Sequence, residues 1–236
     1  MTVYGQFCPV AKASELLGER WMLLILRELL LGSHRYSEFQ RALSRISPSL
    51  LTKRLKQLES AGIIIRKTQQ GRKGHDYYLT PAGKELAPIV EHLATWGMRW
   101  ARGQLNDDEL DVEFLMWDIQ RRFDTDRLPD GETVFCFIFN DLTSFKNWWL
   151  VVKDGEVDVC TENPGKDVDL YVSTSLRNLV KIWQGDIEIK AAQQQKLIKT
   201  QGNKQLTKTM PDWLGICLYA EVRPGDPTLM KIAVDD

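Results

Sequence analysis

The sequence predicts an α+β chain in two parts: a helical N-terminal part closed by a short hairpin, and a C-terminal part in which helices cover an antiparallel sheet. Three observations predict this. Capped helical apolar spacing recurs through the first hundred residues, whereas beyond about residue 130 the pattern changes to short β-rich runs separated by turn signals. Charge divides along with it: residues 1–104 carry 16 Lys/Arg against 8 Asp/Glu, and residues 105–236 carry 15 against 24, although the whole chain is only −1. A length of 236 residues suits two modest domains, here 1–104 and 105–236.

Pro9 to Gly18 is the first predicted helix, with Val10, Ala13, Leu16 and Leu17 at helical spacing, Pro9 in the first turn and Gly18 as the stop. Glu19 to Leu31 follows as a Leu-rich helix ended by Gly32, then Ser37 to Leu43 as a third, capped by Ser37. The fourth has the firmest boundaries. Ser47 can accept hydrogen bonds from the first-turn amides, Pro48 loses nothing by lacking an N–H there, and Gly62 closes the helix. Helical spacing puts Leu51, Leu55 and Leu58 on one face; Ser49, Leu50, Lys53, Lys56, Gln57 and Ser60 fall opposite, flanked by Thr52 and Arg54. That outward face is basic and nearly free of acid. Ile63 to Thr68 and Asp76 to Leu79 then form a hairpin whose loop carries Arg72, Lys73 and His75. Pro81 to about Arg102 predicts one long helix. Its Leu86, Ile89, Val90, Leu93, Trp96, Met98 and Trp100 exceed what one small domain covers, so another subunit is expected to meet part of this surface.

Helices, a capped basic helix and a hairpin with cations at its tip follow one another in the order of a winged helix-turn-helix, which places its second motif helix in the major groove of double-stranded DNA. Ser49 and Lys53 lie near the end that enters deepest and are the candidates for base edges. Lys56 suits a phosphate; Leu50 either meets a thymine methyl or packs on the preceding loop. Arg35, Arg72, Lys73 and His75 are expected to neutralise phosphates and position the protein without reading sequence. Ser47, Thr52 and Arg54 complete the candidate set, against the plainer reading of solvated surface cations.

Several blocks carry a family resemblance: Cys8-Pro9-Val10, Leu17-Gly18-Glu19-Arg20-Trp21, Leu24 to Leu29, Arg35-Tyr36-Ser37-Glu38-Phe39, Ile46-Ser47-Pro48, Leu51 to Glu59 and Tyr78 to Gly83. In this order, over residues 8 to about 97, they resemble the HxlR family of bacterial transcriptional regulators. The resemblance implies a homodimer, formed through terminal helices, on a roughly palindromic operator. The loop Gln70 to His75 departs from the proline-bearing, less basic tip usual in that family, which bears on groove contact by the wing. Some relatives use a cysteine near position 8 as an electrophile or redox sensor. Cys8, before Pro9 at an expected helix N-cap, is the corresponding candidate, with a small packed inert thiol as the alternative.

Asn106 is expected to cap a helix with acids in its first turn and Leu110, Phe114, Leu115, Trp117 and Ile119 on its buried side. Thr133 to Asn140 reads as a buried strand; Asn147 to Lys153 and Glu156 to Cys160 form a hairpin around Asp154-Gly155, a type I′ signal. Val168 to Ser173 is a further strand, and Leu176 to Trp183 an amphipathic helix stopped by Gly185. The order Ser173 to Leu176, Ile182 to Asp186, Ala191-Ala192, Leu197 to Gly202 and Met210 to Leu214 resembles sterol carrier protein type 2-like domains over about 130–223. This implies an apolar cavity for a small ligand, for which Phe137, Phe139, Trp148, Trp149, Trp183 and Trp213 are the lining candidates; the same rings equally suit a solid core.

Composition and spacing exclude other classes. At 43% hydrophobic and 27% charged the chain is neither disordered nor fibrous. The longest apolar run, Trp21 to Leu31, is broken by Arg27 and Glu28 and falls short of the ~20 residues of a membrane span. No signal peptide is read at the N-terminus, and the chain is expected to be cytoplasmic. Cys8, Cys136, Cys160 and Cys217 show no CxxC spacing and His34, His75 and His92 no ligand cluster, so no metal or cofactor is expected. No catalytic constellation is legible. The expectation is a DNA-binding regulator and not an enzyme; the alternative is a ligand carrier or accessory protein whose winged helix contacts protein.

Overall fold

The computed structural model describes residues 3–68, 74–104 and 106–226. The chain forms two compact units, Met1–Ala94 and Thr95–Asp236. The first contains α1 (Pro9–Leu17), α2 (Met22–Leu30), α3 (Tyr36–Ala42), α4 (Pro48–Ser60), β1 (Ile64–Thr68), β2 (His75–Leu79), α5 (Pro81–Lys84) and the start of α6 (Ala87–Trp100). Met22, Ile25, Leu26, Phe39, Leu51, Leu55, Leu58 and Ile64 form its buried core. β1 and β2 pair antiparallel, from Ile64 opposite Leu79 to Thr68 opposite His75.

Local chemistry accounts for three departures from expectation. α2 begins at Met22 and not at Glu19, because Trp21 takes a left-handed φ of 79°. α3 is capped at Arg35, two residues earlier than Ser37: the Glu38 carboxylate accepts from the N–H groups of His34 at 2.7 Å and Arg35 at 2.8 Å. The single helix expected from Pro81 is two, α5 and α6. Pro88 is the cause, since in a continuous helix it would lack its N–H and press on the carbonyl of Lys84.

The second unit continues with α7 (Val112–Arg122), β3 (Thr133–Phe139), β4 (Asn147–Lys153), β5 (Glu156–Cys160), β6 (Leu170–Thr174), α8 (Leu176–Trp183), α9 (Ile189–Gln194), β7 (Ile198–Gly202), α10 (Lys204–Lys208) and α11 (Met210–Trp213). Asp111, not Asn106, caps α7, accepting from the Phe114 N–H at 2.9 Å; Asn106 instead precedes a short 3-10 turn. The five strands run in the order β5-β4-β3-β6-β7. All pairings are antiparallel except β3 with β6, which is parallel, so the sheet is mixed and not purely antiparallel. Residues 161–169 carry the chain back across the sheet and return it beside β3 in the same direction. The β4–β5 turn has Asp154 at φ 51° and Gly155 at φ 78°, the two positive values of a type I′ turn. One sheet face, with Phe135, Phe137, Phe139, Trp148, Leu150, Leu170 and Val172, packs with Leu115, Met116, Ile119, Leu179, Ile182, Met210 and Trp213 from the helices.

Candidate nucleic-acid interface

The basic helix is built from its own sequence. The Ser47 hydroxyl accepts from the Leu50 N–H at 3.3 Å, Pro48 occupies the first position, and Gly62 follows at φ 71°. Leu51, Leu55 and Leu58 bury one side of α4 against the core. Ser49, Thr52, Lys53, Lys56 and Ser60 are exposed, Leu50 and Gln57 half-exposed, and together with Ala61 all but Leu50 line an open trough of about 810 Å3. Lys53 and Lys56 have no ion pair among the described residues.

Arg54 is corrected. It is 7% exposed, its guanidinium pairs with Glu19 at 2.7 Å, and it donates to the Arg20 carbonyl at 2.9 Å and to Gln57 Oε1 at 2.8 Å. A cation committed to the turn before α2 has no reach toward an external phosphate. Its work is to fix α4 against that turn.

Tyr36 belongs to the site although sequence reading passed over it. Its hydroxyl donates to the Pro48 carbonyl at 2.8 Å and lies 3.3 Å from the Thr52 hydroxyl, which itself donates to the Pro48 carbonyl at 2.9 Å. This ties α3 to the first turn of α4. An aromatic residue with a hydroxyl at the opening of α3 was the available signal.

The hairpin is held at its base. The Tyr77 N–H donates to the His34 carbonyl at 2.9 Å, and Arg35 bridges to Asp76, adding a short third strand segment. Arg35 is exposed, with its guanidinium 3.9 Å from Glu38. His75 is exposed at the start of β2, its Nδ1 3.2 Å from the Thr68 hydroxyl. Arg66 pairs with Glu59 of α4 at 3.4 Å, and Lys67 lies over the Tyr78 ring at 5.1 Å. Burial raises the Tyr77 phenol above its ordinary pKa. Arg72 and Lys73 lie outside the described residues. Cys8 is exposed just before Pro9, with no cap hydrogen bond from its side chain.

The six aromatic residues proposed to line one cavity do not gather around one. Phe137, Phe139 and Trp213 are fully buried and Trp148 nearly so. Trp213 meets Phe123 at 5.1 Å and Phe135 at 4.7 Å in tilted contacts, the two phenyl rings also touching edge-on, and donates its indole N–H to the Leu206 carbonyl at 3.0 Å. Trp183 donates to Asp118 at 2.8 Å and meets Phe114 edge-on. Trp149 pairs opposite Cys136, one residue out of step with the Phe137–Trp148 pair, and therefore lies on the other sheet face.

A helical core with a capped, exposed basic helix and a two-stranded hairpin defines a winged helix-turn-helix protein. The chain belongs to the HxlR-like helix-turn-helix family, whose model matches residues 16–104. The uncharacterized HTH-type transcriptional regulator YvaP of Bacillus subtilis (strain 168) is 39% identical over 98 residues, which are 41% of this chain and 91% of that protein. An uncharacterized HTH-type transcriptional regulator of Methanothermobacter thermautotrophicus (strain Delta H) is 35% identical over 103 residues, 43% of this chain and 79% of that protein. Among solved structures, the redox regulator HypR in its oxidized form has 30% identity and a TM-score of 0.37, covering 42% of this chain and 99% of its own. A second model, the SCP-2 sterol transfer family, matches residues 121–212. No helix among the described residues is long and apolar enough to cross a membrane.

Proposed function

We propose that this chain is a homodimeric transcriptional regulator that sets α4 in the major groove of a roughly palindromic operator, with the hairpin on the adjacent backbone. The observation that carries the reading is the exposed face of α4. Ser49, Thr52, Lys53 and Lys56 stand on it without a carboxylate partner among the described residues, on a helix whose orientation is fixed by Leu51, Arg54 and Leu55. Ser49 and Lys53 near the N-terminal end suit base edges, and Lys56 suits a phosphate. Exposed Ile89, Leu93 and Trp96, spaced as one stripe of α6, supply an apolar surface for the second copy. The HTH-type regulators among its relatives support the same reading.

For the second unit, the sterol-transfer family match supports a small apolar ligand whose binding favours one dimer geometry. That part rests on the match alone, because five of the named rings pack in or against the core and Trp149 lies on the other sheet face. Extraction of the purified protein followed by mass spectrometry tests it: a stoichiometric apolar molecule supports sensing, and its absence from protein that also takes up no apolar probe removes it.

Fluorescence anisotropy with a duplex from the chain's own upstream region tests DNA binding. The expected result is steep weakening with salt, and loss of about tenfold or more on Lys53→Ala with Lys56→Ala, a smaller salt slope accompanying it. Binding that ignores both salt and the two lysines contradicts the reading.

A further inference from the structure

Residues 105–236 carry 24 acidic against 15 basic side chains. Four of those lysines nevertheless surround one solvent-open groove of about 540 Å3: Lys196, Lys199, Lys204 and Lys208. They arrive from three elements. Lys196 sits in the turn after α9 at a left-handed φ of 58°, Lys199 on β7, and Lys204 and Lys208 on α10. Ile198, buried in the core, and half-buried Thr200 border the groove on β7, and the Thr200 hydroxyl makes no hydrogen bond among the described residues. All four lysines are exposed, and among the described residues none has an ion pair.

Such a grouping has an energetic cost. Lys204 and Lys208 are i and i+4 on a five-residue helix, a like-charge spacing that destabilises a helix. Edge protection explains part of it: β7 is the outer strand, and a lysine on an outer strand discourages pairing with another chain. That accounts for Lys199 but not for Lys196, Lys204 and Lys208, which lie off the strand and face the same volume. Several cations bordering one open groove suit a compact polyanion, because an ammonium acts on phosphate as a point charge. A duplex or a bilayer instead calls for cations spread along an extended surface. The volume lies within the ~300–1,000 Å3 of small-molecule sites.

We propose that this groove binds a small phosphorylated molecule, its phosphate groups held by Lys196, Lys199, Lys204 and Lys208. The site stands apart from DNA binding by α4, so its test contains no DNA in the primary arm. Calorimetric titration of the full chain with inorganic pyrophosphate at low salt is expected to saturate at one per chain. The Lys199→Gln, Lys204→Gln, Lys208→Gln variant is expected to bind at least tenfold more weakly, with unchanged circular dichroism. Lys146→Gln with Lys153→Gln and Lys181→Gln, elsewhere on the same unit, is expected to match the parent protein and controls for net charge. The proposal is overturned if pyrophosphate gives no saturable binding, or if control and triple variant weaken equally. It is also overturned if only duplex DNA, or only phosphatidylglycerol vesicles, bind through these lysines.

Discussion

Among single residues, Arg54 and Lys53 are adjacent cations with opposite fates. Arg54 is closed inside a pair with Glu19, and truncating it leaves a mostly buried carboxylate partner behind. Arg54→Ala is expected to cost about 2–4 kcal/mol in urea unfolding. Lys53→Ala is expected to change stability by less than about 0.5 kcal/mol while lowering the salt slope of duplex binding by about 1. A helical wheel sets Lys53 outward and Arg54 on the flank, but it could not show the burial of Arg54, because the turn it binds lies some 34 residues earlier in the chain. The cysteines make a second contrast. Cys136 is buried on β3, and that burial pushes its thiol up to about 11. Since the folded chain holds this proton more tightly than the unfolded one, the contribution is complete below about pH 9 and lost as pH rises from there through about 11. The urea midpoint of the parent protein is expected to fall more steeply over that window than that of Cys136→Ala. At pH 8, exposed Cys8 is expected to take up iodoacetamide well before Cys136, as peptide mass mapping would read.

For the elements, legibility followed how local the determining chemistry is. The bounds of α4 were readable because Ser47, Pro48 and Gly62 act within one turn of the ends they define, and the β4–β5 turn was readable from Asp154-Gly155. The break between α5 and α6 was available in Pro88 but hidden by the continuous apolar spacing around it. The parallel pairing of β3 with β6 had no local signal, since it depends on where residues 161–169 return the chain. Ring-rich strands likewise could not say which aromatics share a face; the register puts Trp148 and Trp149 on opposite faces of the sheet. One glycine shows how the hairpin is seated. At Gly83 a Cβ would overlap the Ile63 carbonyl oxygen and meet the Leu79 side chain, so α5 lies directly on the base of β1 and β2. Gly83→Ala is expected to lose about 1–3 kcal/mol by overpacking, with backbone amide exchange rising first in β1 and β2.

On the scale of the whole molecule, a basic part that matches the HxlR-like helix-turn-helix family precedes an acidic part that matches the SCP-2 sterol transfer family. Dimer formation is the first requirement. Leu93→Lys with Ile89→Lys, both exposed on α6, is expected to shift sedimentation from dimer to monomer and to weaken binding to a palindromic duplex more than to a single half-site. The surface of α4 is the second. The most direct test is an amide chemical-shift map of the full chain, recorded as an operator duplex is added at moderate salt. The account predicts that the largest changes fall on Ser49, Thr52, Lys53, Lys56 and the hairpin strands. Saturating duplex that leaves α4 unshifted while perturbing residues elsewhere would contradict it.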